Sequence, residues 1–238
     1  MKENPIFERL SLLTGKDGLE KLQQTNVLVF GVGGVGSWCA EALVRSALGK
    51  ICIVDFDKVN ESNINRQIQA TKKTLGCSKV EVFKERLMEI NPDCEIKIRD
   101  EPFCRENFQS FNIENYDYVI DAIDSLTHKL DLIETVYGAG VTLYSSMGMA
   151  LKMHPEQIKT ASVWDTKECS LARLVRQGLR KRGFSGDFTV VYSSEPPMAA
   201  KGSPRAGEKR ANGSLVTVTA SAGLLLASLV LRDTLSRL

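Results

Sequence analysis

The chain has 238 residues, with 31 Lys+Arg against 29 Asp+Glu for a formal charge of +2, and is 43% hydrophobic, 25% charged and 7% aromatic. That length predicts one domain, or one domain with a small appendage, and excludes two large independent ones. The composition is that of an ordinary globular protein and sets aside collagen-like, coiled-coil and wholly disordered chains.

The N-terminal MKENPIFERL carries neither an apolar leader segment nor a small-residue cleavage site, so the cytoplasm is the expected compartment. Asn26 to Phe30 (NVLVF) is a β-branched apolar run, followed by Gly31-Val32-Gly33-Gly34-Val35-Gly36 and then SWCAEALVRSALG with helical spacing, which predicts strand, glycine turn and helix. Ile51 to Val54 predicts a second strand, ending on Asp55. Ser78 to Ile90 predicts a helix with Val80, Phe83, Leu87 and Ile90 on one stripe. Cys94 to Ile98 alternates as a strand. Tyr116 to Ala122 reads as a buried strand, Leu126 to Tyr137 as a helix, and Val141 to Ser145 as a further strand. Alternating β and α segments argue for a parallel sheet covered on both faces.

After Met147 the pattern changes. Lys152 to Val163 predicts a strand-rich return, Leu171 to Arg182 a basic helix with Leu171, Leu174, Val175 and Leu179 inward, and Phe188 to Tyr192 a strand. Ser193 to Asn212, rich in Pro, Gly, Ala and Lys/Arg, predicts a long mobile loop. A short strand over Leu215 to Thr219 and a helix from about Ala222 close the chain. The apolar run Gly223 to Leu231 is about half the roughly 20 residues a bilayer requires, so it predicts a buried helix and no membrane partner.

Six cysteines (Cys39, Cys52, Cys77, Cys94, Cys104, Cys169) show no pair separated by two residues, and neither His128 nor His154 stands at ligand spacing from one. Free thiols are therefore expected rather than a zinc site or disulfides. Cys169 is a minor reactive candidate, because it precedes the basic helix, whose N-terminus would lower a thiol pKa. Between residues 171 and 212 nine basic residues face three acidic ones. Such a basic appendage suits a polyanion or, equally, a solvated helix face beside a loop.

The glycine turn lets backbone approach a phosphate while the helix behind it supplies oriented N–H groups, and Asp55 is placed to accept from ribose hydroxyls. On these features alone NAD, FAD, S-adenosylmethionine, ATP or a purely structural turn all fit. The next stretch, from Asp55 to Gln67, adds Asn63 and Arg66, and Lys79 opens the following helix. Two exposed, fixed cations beside a nucleotide crevice suit a triphosphate that is to be neutralised and cleaved. Asp121 and Asp124 fall at the carboxyl edge of the sheet, where a carboxylate suits magnesium; one of the two is expected only to cap the helix from Ser125.

Together GVGGVG, DFDKVNESNINRQ, Lys79 and VIDAIDS resemble the adenylation domain of the ThiF/MoeB and ubiquitin-activating-enzyme superfamily, over roughly residues 9 to 150. DTKECSLARLVRQGLRKRGF, VVYSSEPP and GSLVTVTASAGLLLASLVL are similar to its tRNA threonylcarbamoyladenosine dehydratase branch (TcdA type). The resemblance implies an α/β, Rossmann-like, mostly parallel doubly wound sheet. Residues 1–150 form the ATP-binding adenylation domain, and a basic α+β extension over 151–238 completes the fold. It implies that Gly31, Gly33, Gly34 and Gly36 contact ATP, that Asp55 holds the ribose with Asp57 in the same nucleotide-binding set, and that Asn63, Arg66 and Lys79 handle the phosphates. Asp124 would organise magnesium and the α-phosphate, and Arg9 would reach across a homodimer into the other subunit's site. The basic helix, with Arg176, Arg180, Lys181 and Arg182, would hold the tRNA.

The implied reaction is ATP-dependent cyclisation of threonylcarbamoyladenosine in tRNA through an acyl-adenylate. An alternative keeps the adenylation and changes the acceptor to the C-terminus of a ubiquitin-like sulfur carrier, which leaves a sulfur-transfer or carrier protein open as a partner. A nicotinamide oxidoreductase and a nucleotide-sensing scaffold are the remaining readings. The paired CxxC motifs of many sulfur-carrier adenylating enzymes are absent, and SMGMALKMHP differs from the smaller, more polar stretch common in the dehydratase branch.

Overall fold

The computed structural model describes residues 4–199 and 213–236. In chain order the elements are α1 (Glu8–Gln24), β1 (Asn26–Phe30), α2 (Gly36–Arg45), β2 (Lys50–Val54), α3 (Lys79–Ile90), β3 (Glu95–Arg99), β4 (Tyr118–Asp121), α4 (Leu126–Gly138), β5 (Thr142–Ser146), β6 (Ile158–Ser162), α5 (Ser170–Lys181), β7 (Thr189–Ser193) and α6 (Val216–Ser236). The strands form one sheet in the order β3-β2-β1-β4-β5-β7-β6, parallel throughout except for β6, which runs antiparallel to β7. The expected doubly wound α/β sheet is therefore present. Residues beyond 151 extend that same sheet through β7, whose Thr189 pairs with Tyr144 of β5.

Period-two alternation explains the layering. Val27 and Val29 of β1 face one core with Leu43, Phe83 and Leu226, while Leu28 and Phe30 face the other with Leu132, Val175 and Leu179. A strand buried on both faces needs a continuous apolar run, which is why NVLVF reads without polar interruption. Each such Val, Leu or Ile contributes about 1.5–3 kcal/mol by leaving water. The edge strand β3 alternates instead, with Ile96 buried and Lys97 exposed.

Two elements depart from the sequence reading. No element is expected before Asn26, yet α1 lies there, carrying Gly15 in the left-handed region (φ 72°) within its span. Leu215 to Thr219, expected as a strand, leads into and forms the first turn of α6. Its β-branched residues favour a strand locally, but Val218, Ala222, Leu226 and Val230 recur every four residues and fill a groove against the core. Gly223 sets the closeness of that packing, because a Cβ there would lie 2.3 Å from the Val35 carbonyl oxygen and 2.9 Å from Trp38 Cβ. At its far end Asp233 accepts a 2.8 Å hydrogen bond from the Tyr118 hydroxyl of β4. The apolar stretch thus runs longer than Gly223 to Leu231: by length and composition α6 could cross a membrane, and in this fold its apolar stripe is core.

Of the predicted loop from Ser193 to Asn212, residues 200–212 lie outside the described residues, and Ser193 ends β7. The remainder is tied down. Ser194 N–H donates to Gln157 O, Met198 N–H to Leu151 O, and the Glu195 carboxylate accepts from the Met153 and His154 amides. All six cysteines are free, Cys169 among the buried ones. Among the described residues no group of three His, Cys, Asp or Glu side chains forms a metal cluster.

Candidate active site

The sheet changes winding direction between β1 and β4, where Phe30 pairs with Asp121, and this switch point opens a crevice at the carboxyl ends of the strands. The glycine turn lines it, and its glycines divide by task. Gly31 (φ 86°) lies so close to the β4–α4 loop that a Cβ would sit 2.8 Å from Ala122 O, and a Cβ on Gly36 would sit 1.8 Å from Gly31 O. These two permit the turn. Gly33 lines the open side, with only Gln67 Nε2, at 3.9 Å, near its notional Cβ, whereas Gly34 is packed against Arg66 Cγ and Cδ at 3.2 Å and Thr219 Cβ at 3.4 Å. Backbone at Gly33 can meet a phosphate directly, with the N-terminus of α2 behind it.

Asp55, just past β2, holds the turn in shape. Its Oδ2 accepts from Val32 N–H at 2.8 Å and its Oδ1 from Asp57 N–H at 3.0 Å. Burial pushes its carboxyl up from the usual value, and Lys79 pulls it back down. Lys79 is itself buried, contrary to its reading as an exposed charge, because α3 begins under the crevice floor with Lys79 N–H bonded to Asp57 O. Its Nζ lies 2.7 Å from Asp57 Oδ2 and 3.9 Å from Asp55 Oδ1. The Asp57 side chain is 55% exposed, so the ammonium shares a carboxylate that water also reaches.

Asn63 ends a short 3-10 turn, where its Oδ1 accepts from Asn60 N–H at 3.0 Å and its carbonyl accepts from the Arg66 and Gln67 amides. That turn aims Arg66. The guanidinium donates to Ser62 O at 2.7 Å and Asn65 Oδ1 at 2.8 Å, while the Arg66 carbonyl accepts from Trp38 Nε1 at 2.9 Å. Burial lowers the Arg66 pKa, and the field of Asp124 opposes that shift. Asp124 is exposed on the β4–α4 loop, available to solution. Asp121 is not: it is fully buried, accepting from Lys129 Nζ at 2.6 Å, Ser145 Oγ at 2.6 Å and Ile123 N–H at 3.1 Å. The expected choice between metal ligand and helix cap thus resolves otherwise for Asp121, an internal anchor, and no side chain caps α4.

The remaining candidates stand apart from this cluster. Arg9 is exposed on the first turn of α1, and among the described residues no hydrogen bond or ion pair links it to the crevice of its own chain. The basic helix does not present four equivalent cations. Arg182 is held 2.7 Å from both Asp131 and Glu134, and Arg176 donates to Thr166 Oγ1. Arg180 lies over the Trp164 ring at 5.3 Å and, with Lys181, is exposed. Sequence reasoning missed Lys129, Gln67, Gln69 and the start of α6. Thr219 comes within 3.4 Å of a notional Gly34 Cβ, and Ser214 O accepts from Asn65 Nδ2 at 3.0 Å, so the C-terminal segment frames the crevice.

Glycine backbone open at Gly33, a helix N-terminus, two cations and the solvent-facing carboxylates of Asp57 and Asp124 form a site suited to a nucleotide's phosphate chain. The ThiF family profile matches residues 7–236. The tRNA threonylcarbamoyladenosine dehydratase of Bacillus subtilis is 37% identical across 96% of this chain and 94% of its own length. That of Haemophilus influenzae is 35% identical across 97% and 94%. The crystal structure of the Escherichia coli tRNA N6-threonylcarbamoyladenosine dehydratase in complex with ATP shares the fold at a TM-score of 0.87 and 31% identity, covering 97% of this chain and 94% of that one. With the glycine turn, the switch point and α6 all inside the matched span, the chain belongs to the ThiF family.

Proposed function

We propose that this chain is an ATP-dependent enzyme that cyclises threonylcarbamoyladenosine in tRNA with net loss of water. In the first step a carboxylate oxygen of the threonyl group attacks the α-phosphorus of ATP, giving an acyl-adenylate and releasing pyrophosphate. The neighbouring carbamoyl oxygen then attacks the activated carbonyl carbon, AMP departs carrying the carboxylate oxygen, and the carbamoyl nitrogen releases its proton to solvent. No protein nucleophile enters this sequence. The protein's tasks are positioning and charge neutralisation. Asp55 takes the ribose, the glycine-turn backbone at Gly33 and Gly34 takes the phosphate chain, and Arg66 and Lys79 draw charge from the phosphates as the α–β bond breaks. Asn63 serves by holding the turn that aims Arg66.

Asp124 fits magnesium as the solvent-facing carboxylate beside Arg66, since that ion takes one or two carboxylates and completes its shell with phosphate oxygens and water. When bound, it would offset phosphate charge that Arg66 and Lys79 alone leave in excess. The observation that carries the reading is Arg66 packed against Gly34 of the glycine turn at the switch point and Lys79 beside Asp55, which holds that turn, within a chain related along nearly its whole length to dehydratases of this type.

A homodimer is supported by Arg9, which makes no contact with its own crevice among the described residues, and by Leu12 and Leu13 on the same helix, the latter 84% exposed. Such side chains are a natural surface for a second copy. Arg180, Lys181 and the exposed Arg173 support tRNA backbone contact, a cytoplasmic task. The decisive assay measures AMP release from ATP with modified tRNA, unmodified tRNA and none, beside the mass of the nucleoside. AMP formed only with modified tRNA, with a nucleoside lighter by one water, is expected. AMP released equally without tRNA, or only upon adding a ubiquitin-like carrier protein, would overturn the reading.

A further inference from the structure

Asp121, Lys129 and Ser145 form a polar cluster at the carboxyl edge of the sheet, each 0% exposed. The cluster is complete. The three ammonium protons of Lys129 meet Asp121 Oδ2 at 2.6 Å, Ser146 O at 3.0 Å and Ser145 Oγ at 3.3 Å. Ser145 Oγ in turn donates to Asp121 Oδ2 at 2.6 Å. Such a sealed ion pair is weak evidence for stability, because apolar side chains of similar volume would join β4 to β5 without taking two charges out of water. A task that apolar residues cannot perform is therefore to be sought.

The oxygen that Lys129 leaves free carries it. Asp121 Oδ1 accepts from Ile123 N–H at 3.1 Å, so a side chain makes the turn that ends β4. With Oδ2 fixed by Lys129 and Ser145, Oδ1 cannot rotate away from that amide. The turn lays Ala122 O against Gly31 and brings Asp124 out exposed, where its field reaches Arg66. Among the described residues the Asp124 carboxylate itself has no hydrogen bond or ion pair, so its place is set by backbone alone. A carboxylate that is to meet a metal must stay in solvent and cannot be packed into position. A buried group behind it can hold its backbone instead.

We infer that Asp121 is a positioning residue for the magnesium carboxylate: locked by Lys129 and Ser145, it turns the end of β4 so that Asp124 is presented to the crevice. This rests on the reading of Asp124 as the residue that takes magnesium beside the nucleotide.

The experiment compares two full-length double variants, both of which discharge the buried pair. Asp121→Asn with Lys129→Met keeps an acceptor for Ile123 N–H; Asp121→Leu with Lys129→Met fills the space and removes it. Each is titrated with manganese, read by electron paramagnetic resonance, in the presence of α,β-methylene-ATP, which cannot be cleaved at the α-phosphate. Hydrogen exchange of the β4–α4 loop is followed beside it. The expected result is manganese affinity within about twofold of wild type for the Asn doublet and about tenfold weaker for the Leu doublet, the scale of a lost outer partner of a metal ligand. Loop amides should exchange faster in the Leu doublet alone. In an Asp124→Ala background, itself weakened, the Leu doublet should cost no further manganese affinity, whereas a merely structural fault would add its own loss. Should the Leu doublet fail to refold, Ser145→Ala frees Oδ2 without burying a lone charge and enters the same cycle with an expected loss of about threefold. Equal manganese affinity in the two doublets, or a loss that adds in full to that of Asp124→Ala, would overturn the role of Asp121. Wild-type protein that takes up no manganese with the analogue, or takes it up as tightly after Asp124→Ala, would instead overturn the reading of Asp124 itself.

Discussion

Lys79 at the crevice and Lys129 beneath the end of β4 are both buried ammonium groups bonded to an aspartate, 2.7 Å from Asp57 and 2.6 Å from Asp121. Lys129 is sealed. Its side chain and that of Asp121 are each 0% exposed, and its other bonds go to Ser145 Oγ and Ser146 O. Lys79 has a partner more than half in water, so an incoming phosphate can share its charge by displacing solvent rather than opening the core. The exposure of the partner carboxylate, not that of the lysine, separates a charge that organises structure from one available to a substrate.

The largest effect should follow from Lys129→Met, which leaves a buried carboxylate without its cation and should lose about 3–5 kcal/mol in denaturant unfolding. The double variant with Asp121→Asn should recover much of that loss; a single variant as stable as wild type would erase the distinction. Lys79→Met should lower AMP formation by about 10²–10³-fold, or roughly 2.7–4 kcal/mol of barrier, the range seen when one stabilising donor is removed. Because Asp57 can turn to water, its unfolding free energy should fall by clearly less than that of the Lys129 variant. Equal losses in the two would break the comparison.

Exposed cations form a third case. Neutralising Arg180 and Lys181 together should reduce the salt dependence of tRNA binding by about two phosphate contacts, with ATP affinity unchanged. A flat salt dependence across wild type and variant would return α5 to an ordinary solvated face.

Lys152 supplies the smallest effect and the sharpest limit. It is buried like the others, but its Nζ donates to the backbone carbonyls of Glu168 and Glu195 rather than to a carboxylate. Burial lowers its pKa from 10.5, against the fields of Cys169, Glu195 and Glu168. The sign follows: between the lowered value and 10.5 the unfolded chain binds the proton more tightly, so stability from this group rises as pH climbs through that window. The difference between wild type and Lys152→Met in pH-dependent unfolding should show that rise, with a slope below about 1.4 kcal/mol per pH unit. A difference that falls with pH would mean that the carbonyls outweigh burial.

Much of the crevice was legible because its signals are local. Asn26 to Phe30 is a strand at the predicted bounds, the glycine turn follows it, and the helix from Ser78 begins one residue later, at Lys79. Adjacent residues carry those patterns: a period of two, a period of 3.6, and glycines where no Cβ fits. The helix α1 was not legible, because Gly15 and Gly18 interrupt its apolar stripe, and the residues that make it worthwhile to fold lie in α6, where Leu235 Cδ2 would meet a Gly18 Cβ at 2.9 Å. LVTVT was misread for a related reason, since its local preference yields to a groove built by α2.

By itself the sequence determined the alternation of strands and helices, the glycine turn, and the set of charged residues at the carboxyl edge, all of which follow from spacing along the chain. Only the tertiary structure decided which aspartate is sealed and which faces solution, that Lys79 is buried, and that Ser214 and Thr219, at the start of α6, frame the crevice. Burial and pairing are settled by contacts such as Asn65 with Ser214, 149 residues away, and a chain read in order carries no record of which distant segment will take a group out of water.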